Sequence, residues 1–173
     1  MQLSKNFSLS EFTRSDTAKR LGINNDNVDM EVVLNLAFLC HMVLQPLRDR
    51  FGPITISSGF RTKALNQAVG GAPNSQHLTG EAADISLPSW QEGKEYFRYL
   101  STLPIYDQLI WEQRTTTCWI HISIKRLGTN RRQILSDEVN SVERPYITYK
   151  KSAVPLHRGA ADCVYCAKEC VGP

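Results

Sequence analysis

The sequence lacks several features that would assign it to a familiar class of protein. Its 173 residues contain no internal repeat and no low-complexity tract. No apolar run has the length that we expect of a membrane span. A net charge of +3 is too small to indicate a nucleic-acid partner, and no nucleic-acid-binding motif accompanies it. Five cysteines, an odd number, argue against a complete disulfide framework.

The composition and the apolar periodicity are those of a globular domain with a real core. Hydrophobic residues make up 42% of the chain and charged residues 21%. The periodicity predicts helices and strands alike. We expect helices over 28–50, 62–69 and 91–103, and strands over 54–58, 81–87, 106–112 and 119–124. Helices followed by a small, mostly antiparallel sheet imply an α+β fold.

The predicted helix over 28–50 has an uncertain start and an internal interruption. Asp26 and Asn27 are both suitable residues to cap its first turn. Pro46 has no backbone N–H, so it should kink the helix or mark a break near Gln45.

The most informative stretch is residues 75–84, Ser-Gln-His-Leu-Thr-Gly-Glu-Ala-Ala-Asp. It places His77 and Asp84 seven positions apart across Gly80, and His121 follows downstream in a Trp-Ile-His sequence. Two imidazoles and one carboxylate are sufficient protein ligands for a catalytic zinc ion, and they leave one coordination position for water. The sequence therefore predicts a small zinc hydrolase.

Strand periodicity supports this interpretation. In the strand over 81–87, Asp84 lies on the face opposite the aliphatic residues Ala83 and Ile85. In the strand over 119–124, His121 lies opposite Ile120 and Ile122. If the two strands pair, Asp84 and His121 project into the same cleft. The spacing is equally compatible with a core histidine bonded to a carboxylate and an unrelated surface histidine.

A general base is also needed, and Glu112 is the nearest suitable carboxylate. It ends the predicted strand 106–112 and shares a face with Gln108. If residues 113–118 form a hairpin loop, Glu112 lies roughly opposite His121. Asp107 is the second choice but falls on the aliphatic face, and alternation points Glu81 away from Asp84.

Three blocks of residues together resemble the D-alanyl-D-alanine carboxypeptidase family of zinc peptidases. This group includes vancomycin-resistance dipeptidases, phage L-alanyl-D-glutamate endolysins and, more remotely, the Hedgehog signalling domain. The resemblance covers residues 5–125 and rests on Ser75-x-His77-x-x-Gly80-x-x-x-Asp84, on Trp119-Ile120-His121 and on Ser58-Gly59-Phe60-Arg61-Thr62.

The resemblance implies a role for each matching residue. His77, Asp84 and His121 are implied as the zinc ligands, in a cleft carried by the sheet. Arg61 is implied to bind a carboxylate or carbonyl of the substrate, and Ser75 to contact the substrate or a ligand. The implied activity is zinc-dependent hydrolysis of short peptide bonds in peptidoglycan stem peptides, by a D-Ala-D-Ala carboxypeptidase or a related endopeptidase.

The sequence departs from the family pattern at one position. Many relatives carry a Glu or Asp three residues before the second histidine, where this chain has Cys118. A thiol is a poor proton shuttle for peptide hydrolysis, so Glu112 is predicted to be the base. The departure also leaves an alternative open, a catalytically inactive binding module that zinc stabilises.

The C-terminal part of the sequence is outside the resemblance. We expect a peptidase-like domain over 1–128 and an extension over 129–173 that packs on it or trails from it. Cys163, Cys166 and Cys170 would hold a second zinc ion only with a fourth ligand such as His157. They are equally compatible with reduced thiols or with pairing between chains.

The first residues of the sequence bear on localisation. They lack the apolar stretch of a signal peptide. We therefore expect synthesis in the cytoplasm, with release to the cell wall by lysis or through a phage holin.

Overall fold

A five-stranded sheet forms the centre of the protein. The computed structural model describes residues 1–113 and 117–137. The strands are β1 (Thr55–Ser58), β2 (Ala82–Ser86), β3 (Gln108–Gln113), β4 (Cys118–Ser123) and β5 (Gln133–Asp137), and they are arranged in the order β1-β2-β4-β3-β5. Neighbouring strands are antiparallel except β3 and β5, which are parallel. The predicted α+β class with a mostly antiparallel sheet is confirmed.

Six α-helices accompany the sheet in the described part of the chain. They are α1 (Leu9–Thr13), α2 (Asp16–Leu21), α3 (Met30–Leu39), α4 (Gln45–Phe51), α5 (Lys63–Ala68) and α6 (Trp90–Thr102). Asp29 caps α3, because its carboxylate accepts a hydrogen bond of 2.9 Å from the backbone N–H of Val32. The prediction of Asp26 or Asn27 as the cap was wrong, since the helix begins later, at Met30.

The interruption predicted near Gln45 takes the form of a π-helical turn, Cys40–Leu44. The N–H of Gln45 bonds to the carbonyl of Cys40, five residues back, and Pro46 follows at the start of α4. The wider turn lets the helix continue through a residue that cannot donate a backbone hydrogen bond. The result is one continuous helix, Met30–Phe51.

This helix corrects the expectation that no run is long enough to span a membrane. By length and composition alone, Met30–Phe51 would be sufficient. Much of its apolar surface, however, is buried inside the fold, including the fully buried Leu36, Leu39, Val43 and Leu47. A core helix has this composition because it is covered by its neighbours.

The two faces of the sheet differ in character. Ile85, Ile120, Ile122 and Leu109 lie on one face, and all four are fully buried in the core. Strand alternation then sends the side chains of Asp84 and His121 to the opposite face. The core thus fixes which face of the sheet carries the polar residues.

Gly80 is required by both its backbone conformation and its surroundings. Its φ angle is +70°, and a Cβ atom there would lie 2.8 Å from Cγ1 and 2.9 Å from the carbonyl oxygen of Val32. Gly22 has a similar φ of +65° but nothing within 4 Å of a Cβ atom. Among the glycines of the described residues, the left-handed backbone and a close approach of another element therefore act together at Gly80 alone.

We expect Gly80→Ala to lower the free energy of unfolding by about 3 kcal/mol, from backbone strain and overpacking combined. Gly22→Ala should cost about 1 kcal/mol, because only the strain applies. Chemical denaturation of the two variants would measure both values. Equal losses at the two positions would contradict the packing argument.

Strand β5 belongs to the region predicted as a C-terminal extension. The connection before it is held by Asp107, which is fully buried and accepts hydrogen bonds from the backbone and the guanidinium of Arg131. The ammonium group of Lys125 lies 3.7 Å from the same carboxylate. The domain boundary at 128/129 stays a prediction, and the candidate metal ligands Cys163, Cys166, Cys170 and His157 lie outside the described residues.

Candidate metal centre

Three side chains converge on the polar face of the sheet. His77 Nε2 lies 3.2 Å from Asp84 Oδ1 and 3.2 Å from His121 Nδ1, and His121 Nδ1 lies 2.9 Å from Asp84 Oδ1. All three residues are buried. The three atoms form a nearly equilateral triangle of two nitrogens and one oxygen.

The pairing of the two central strands creates two corners of this triangle. Asp84 on β2 and His121 on β4 are direct partners in the antiparallel register. Side chains of directly opposite residues lie on the same face and within contact distance. The predicted pairing of these two strands is therefore confirmed.

His77 reaches the triangle from a short 3-10 helix, Gln76–Thr79, that precedes β2. Its Nδ1 lies 2.6 Å from the carbonyl oxygen of Gly59. An N–H at Nδ1 donates to this carbonyl, which leaves the lone pair of Nε2 directed at Asp84 and His121. Gly59 needs to lack a side chain, because a Cβ atom would lie 2.6 Å from Cα of Phe12.

The protonation states at the site are those that metal binding requires. Burial lowers the pKa of His77, against the opposing influence of Asp84, so its imidazole stays neutral. Burial alone would raise the pKa of Asp84. The contacts of Oδ1 with His77 and His121, at 3.2 Å and 2.9 Å, outweigh burial and hold that pKa well below its usual range. Neutral imidazole and ionised carboxylate are the forms that bind a metal ion.

The donor set and its spacing fit a zinc ion. Donor atoms about 2.0–2.1 Å from a tetrahedral zinc ion lie about 3.3 Å from one another. The observed separations of 2.9–3.2 Å come close to that value. Among the described residues, these three are the group of His, Cys, Asp or Glu side chains that can hold a metal ion.

Two comparisons with known proteins agree with this geometry. Residues 5–123 match the peptidase M15 family, and this match covers more than half of the chain. The chain belongs to the peptidase M15 family. A curated relative, the zinc D-Ala-D-Ala carboxypeptidase of Streptomyces albus G, is 48% identical over 48 residues. That match spans 27% of this chain and only 19% of the relative.

Arg61 of this M15 protein lies beside the triangle. Its Nη2 donates a hydrogen bond of 2.8 Å to Asp84 Oδ2, and its Nε donates one of 2.9 Å to Ser58 Oγ. A bulge in β1 between Ile56 and Ser58 brings Ser58 opposite Asp84. Sequence reasoning singled out Arg61 but missed this contact, because a bulge leaves no recognisable signal in a four-residue strand.

Ser75, the other predicted substrate contact, lies at the start of the 3-10 helix that carries His77. Its Oγ accepts a hydrogen bond of 3.4 Å from the backbone N–H of His77. Ser75 therefore helps to shape the turn that orients a predicted ligand. A contact with the substrate stays a prediction.

Glu112 of the M15 domain lies on the same face of the sheet as the three predicted ligands. Its direct partner on β4 is Trp119, however, and the residue opposite His121 is Ile110. The predicted position of Glu112 opposite His121 was therefore wrong by two residues. A loop over 113–118 already pairs Glu112 with Trp119, as observed, so the error lay in placing His121, two residues further along β4, opposite Glu112.

The competing acid–base candidates are engaged elsewhere. The carboxylate of Asp107 binds Arg131, as described above. The carboxylate of Glu81 accepts a hydrogen bond of 2.9 Å from Thr79 Oγ1. Cys118 pairs with Gln113 and so shares the strand face of Ile120, not that of His121. Glu112 is the carboxylate that the strand pairing leaves on the polar face of β3.

Two grooves share Ser57 in their linings. The first has a volume of about 260 Å³ and includes Arg14 and Arg61 in its lining. The second, of about 460 Å³, includes Trp90 and Trp119. One groove is therefore cationic and the other aromatic. Neither Arg14 nor Trp90 could be assigned to a site from the sequence, because both come from segments distant from the ligand motifs.

Proposed function

We propose that this protein is a zinc-dependent peptidase that hydrolyses short peptide bonds in peptidoglycan stem peptides, as a D-Ala-D-Ala carboxypeptidase or a related endopeptidase. The observation that carries the proposal is the triangle of His77, Asp84 and His121 in a chain of the peptidase M15 family. The name of the Streptomyces relative supports the substrate class.

In this proposal, His77, Asp84 and His121 hold the zinc ion. When bound, zinc polarises a peptide carbonyl and lowers the pKa of water. Glu112 takes a proton from the attacking water and returns it to the leaving amine. Its place on the polar face, diagonal to His121, supports this assignment, because diagonal neighbours lie within reach of a long side chain.

The side chains that line the two grooves support a peptide substrate. Arg61 uses two of its N–H groups on Ser58 and Asp84. A guanidinium has five such donors, so the others remain for a carboxylate or carbonyl of the substrate. Arg61 lines the cationic groove, which favours a substrate with a terminal carboxylate on that side. Trp119 lines the other groove and offers an apolar surface to the rest of the peptide.

Purified cell walls would test the proposal. We expect the protein to release D-alanine or to expose new amino groups, to stop when a chelator removes the metal, and to resume when zinc is restored. Omitting the protein, and adding zinc alone, are the controls. A zinc-loaded protein that yields no product from any stem peptide would contradict the proposal and support the binding module, for which Cys118 in place of an acid is the argument.

A further inference from the structure

The two carboxylate oxygens of Asp84 have different partners. Oδ1 lies 3.2 Å from His77 Nε2 and 2.9 Å from His121 Nδ1, within the triangle. Oδ2 accepts a hydrogen bond of 2.8 Å from Arg61 Nη2. Both partners of this ion pair are largely buried, with side-chain exposures of 17% for Arg61 and 10% for Asp84. Solvent therefore screens the pair only weakly.

The guanidinium of Arg61 is itself fixed in place. Ser58 Oγ accepts a hydrogen bond of 2.9 Å from Nε, on the edge of the guanidinium next to the Asp84 contact. The backbone N–H of Arg61 donates to the carbonyl of His77 at 3.1 Å, so the arginine and the first histidine are tied together. A planar group held at two of its donors has little freedom to turn away from the carboxylate.

We infer that Arg61 is a positioning residue for Asp84: it occupies Oδ2 and thereby reserves Oδ1 for the metal ion. This inference rests on the proposed zinc site. A carboxylate is able to bind a cation through one oxygen or through both. The ion pair with Arg61 occupies Oδ2, so the carboxylate of Asp84 cannot bind the cation through both oxygens. Oδ1 stays oriented toward the histidine nitrogens. Ser58, through Arg61, contributes to the same orientation.

The test is Arg61→Met, with cobalt in place of zinc as a spectroscopic probe. Without the guanidinium, Asp84 is free to bind through both oxygens, which raises the coordination number. We expect the strong visible absorption of four-coordinate Co²⁺ to weaken and shift. We also expect zinc affinity, measured by competition with a chromophoric chelator, to fall by about 10-fold or more. Removing a positive charge beside the cation would by itself tighten binding, so a loss of affinity reports on orientation.

Two further variants make the test specific. Ser58→Ala keeps the guanidinium but removes one of its anchors, and should change the cobalt spectrum in the same direction by a smaller amount. Arg14→Met removes an exposed arginine from the same groove without touching Asp84, and should leave the spectrum unchanged. Circular dichroism of the metal-free variants checks that each one is folded.

A failure of the inference and a failure of the proposed function would give different results. Wild-type cobalt spectrum and zinc affinity in Arg61→Met, with only KM raised, would overturn the positioning role and leave Arg61 as a substrate contact alone. Wild-type protein that binds neither zinc nor cobalt would overturn the proposed function, and the inference with it. A weakened cobalt spectrum in Arg61→Met, beside an unchanged one in Arg14→Met, supports the inference.

Discussion

Glu112→Gln is expected to bind zinc as the wild-type protein does and to lose hydrolysis by about a hundred- to ten-thousand-fold. Glutamine has nearly the same size and shape as glutamate but cannot accept the proton of the attacking water. Glu112 lies outside the triangle of ligands, so the substitution should spare the metal. Turnover of a stem-peptide substrate and zinc content would be measured on the same preparation.

Glu81→Gln is the matched control for this prediction. Glu81 is close to the ligands in sequence, but its carboxylate bonds to Thr79 and strand alternation directs it away from Asp84. The hydrolytic activity of the Glu81→Gln variant should stay within a few-fold of wild type. Near-wild-type turnover by Glu112→Gln would remove Glu112 as the base, and a large loss in Glu81→Gln would point to Glu81 instead.

His121→Ala is expected to lose its zinc ion. Its rate of hydrolysis should fall by at least about a thousand-fold. A metal ion contributes several kcal/mol to stabilising the transition state, and each 1.4 kcal/mol corresponds to a factor of ten in rate. His121 is the cleanest ligand to remove, because His77 also bonds to Gly59 and Asp84 also pairs with Arg61. Zinc content and single-turnover rates would check the prediction.

His41→Ala controls for the loss of an imidazole elsewhere in the chain. His41 is exposed, within the π-helical turn, and takes no part in the triangle. This variant should keep both its zinc and its activity. Zinc retained at full occupancy by His121→Ala would contradict the assignment of His121 as a ligand.

The cluster of His77, Asp84 and His121 was predictable because it depends on the simplest property of a β-strand. Alternation alone puts Asp84 and His121 opposite the aliphatic rows, and the buried core then fixes the face. His77 follows because Gly80 allows the left-handed turn between it and β2. These features are local, so the sequence carries them directly.

The features that sequence reasoning missed depend on register and on tertiary contacts. Glu112 was placed opposite His121, but its partner is Trp119, and His121 lies two residues further along β4, opposite Ile110. A bulge in β1 places Ser58 opposite Asp84, and Ser58 in turn accepts a hydrogen bond from Arg61. Pro46 indicated a break in the long helix, yet a π-helical turn preserves its continuity.

Metal stoichiometry by native mass spectrometry tests the central claim most directly, that His77, Asp84 and His121 together hold one zinc ion. We expect one zinc per wild-type chain and none in His121→Ala, with both proteins folded. A second zinc on the wild-type chain, lost when the three C-terminal cysteines are replaced, would add the tail site without changing this claim. Wild-type protein that carries no zinc after purification with zinc present would contradict it.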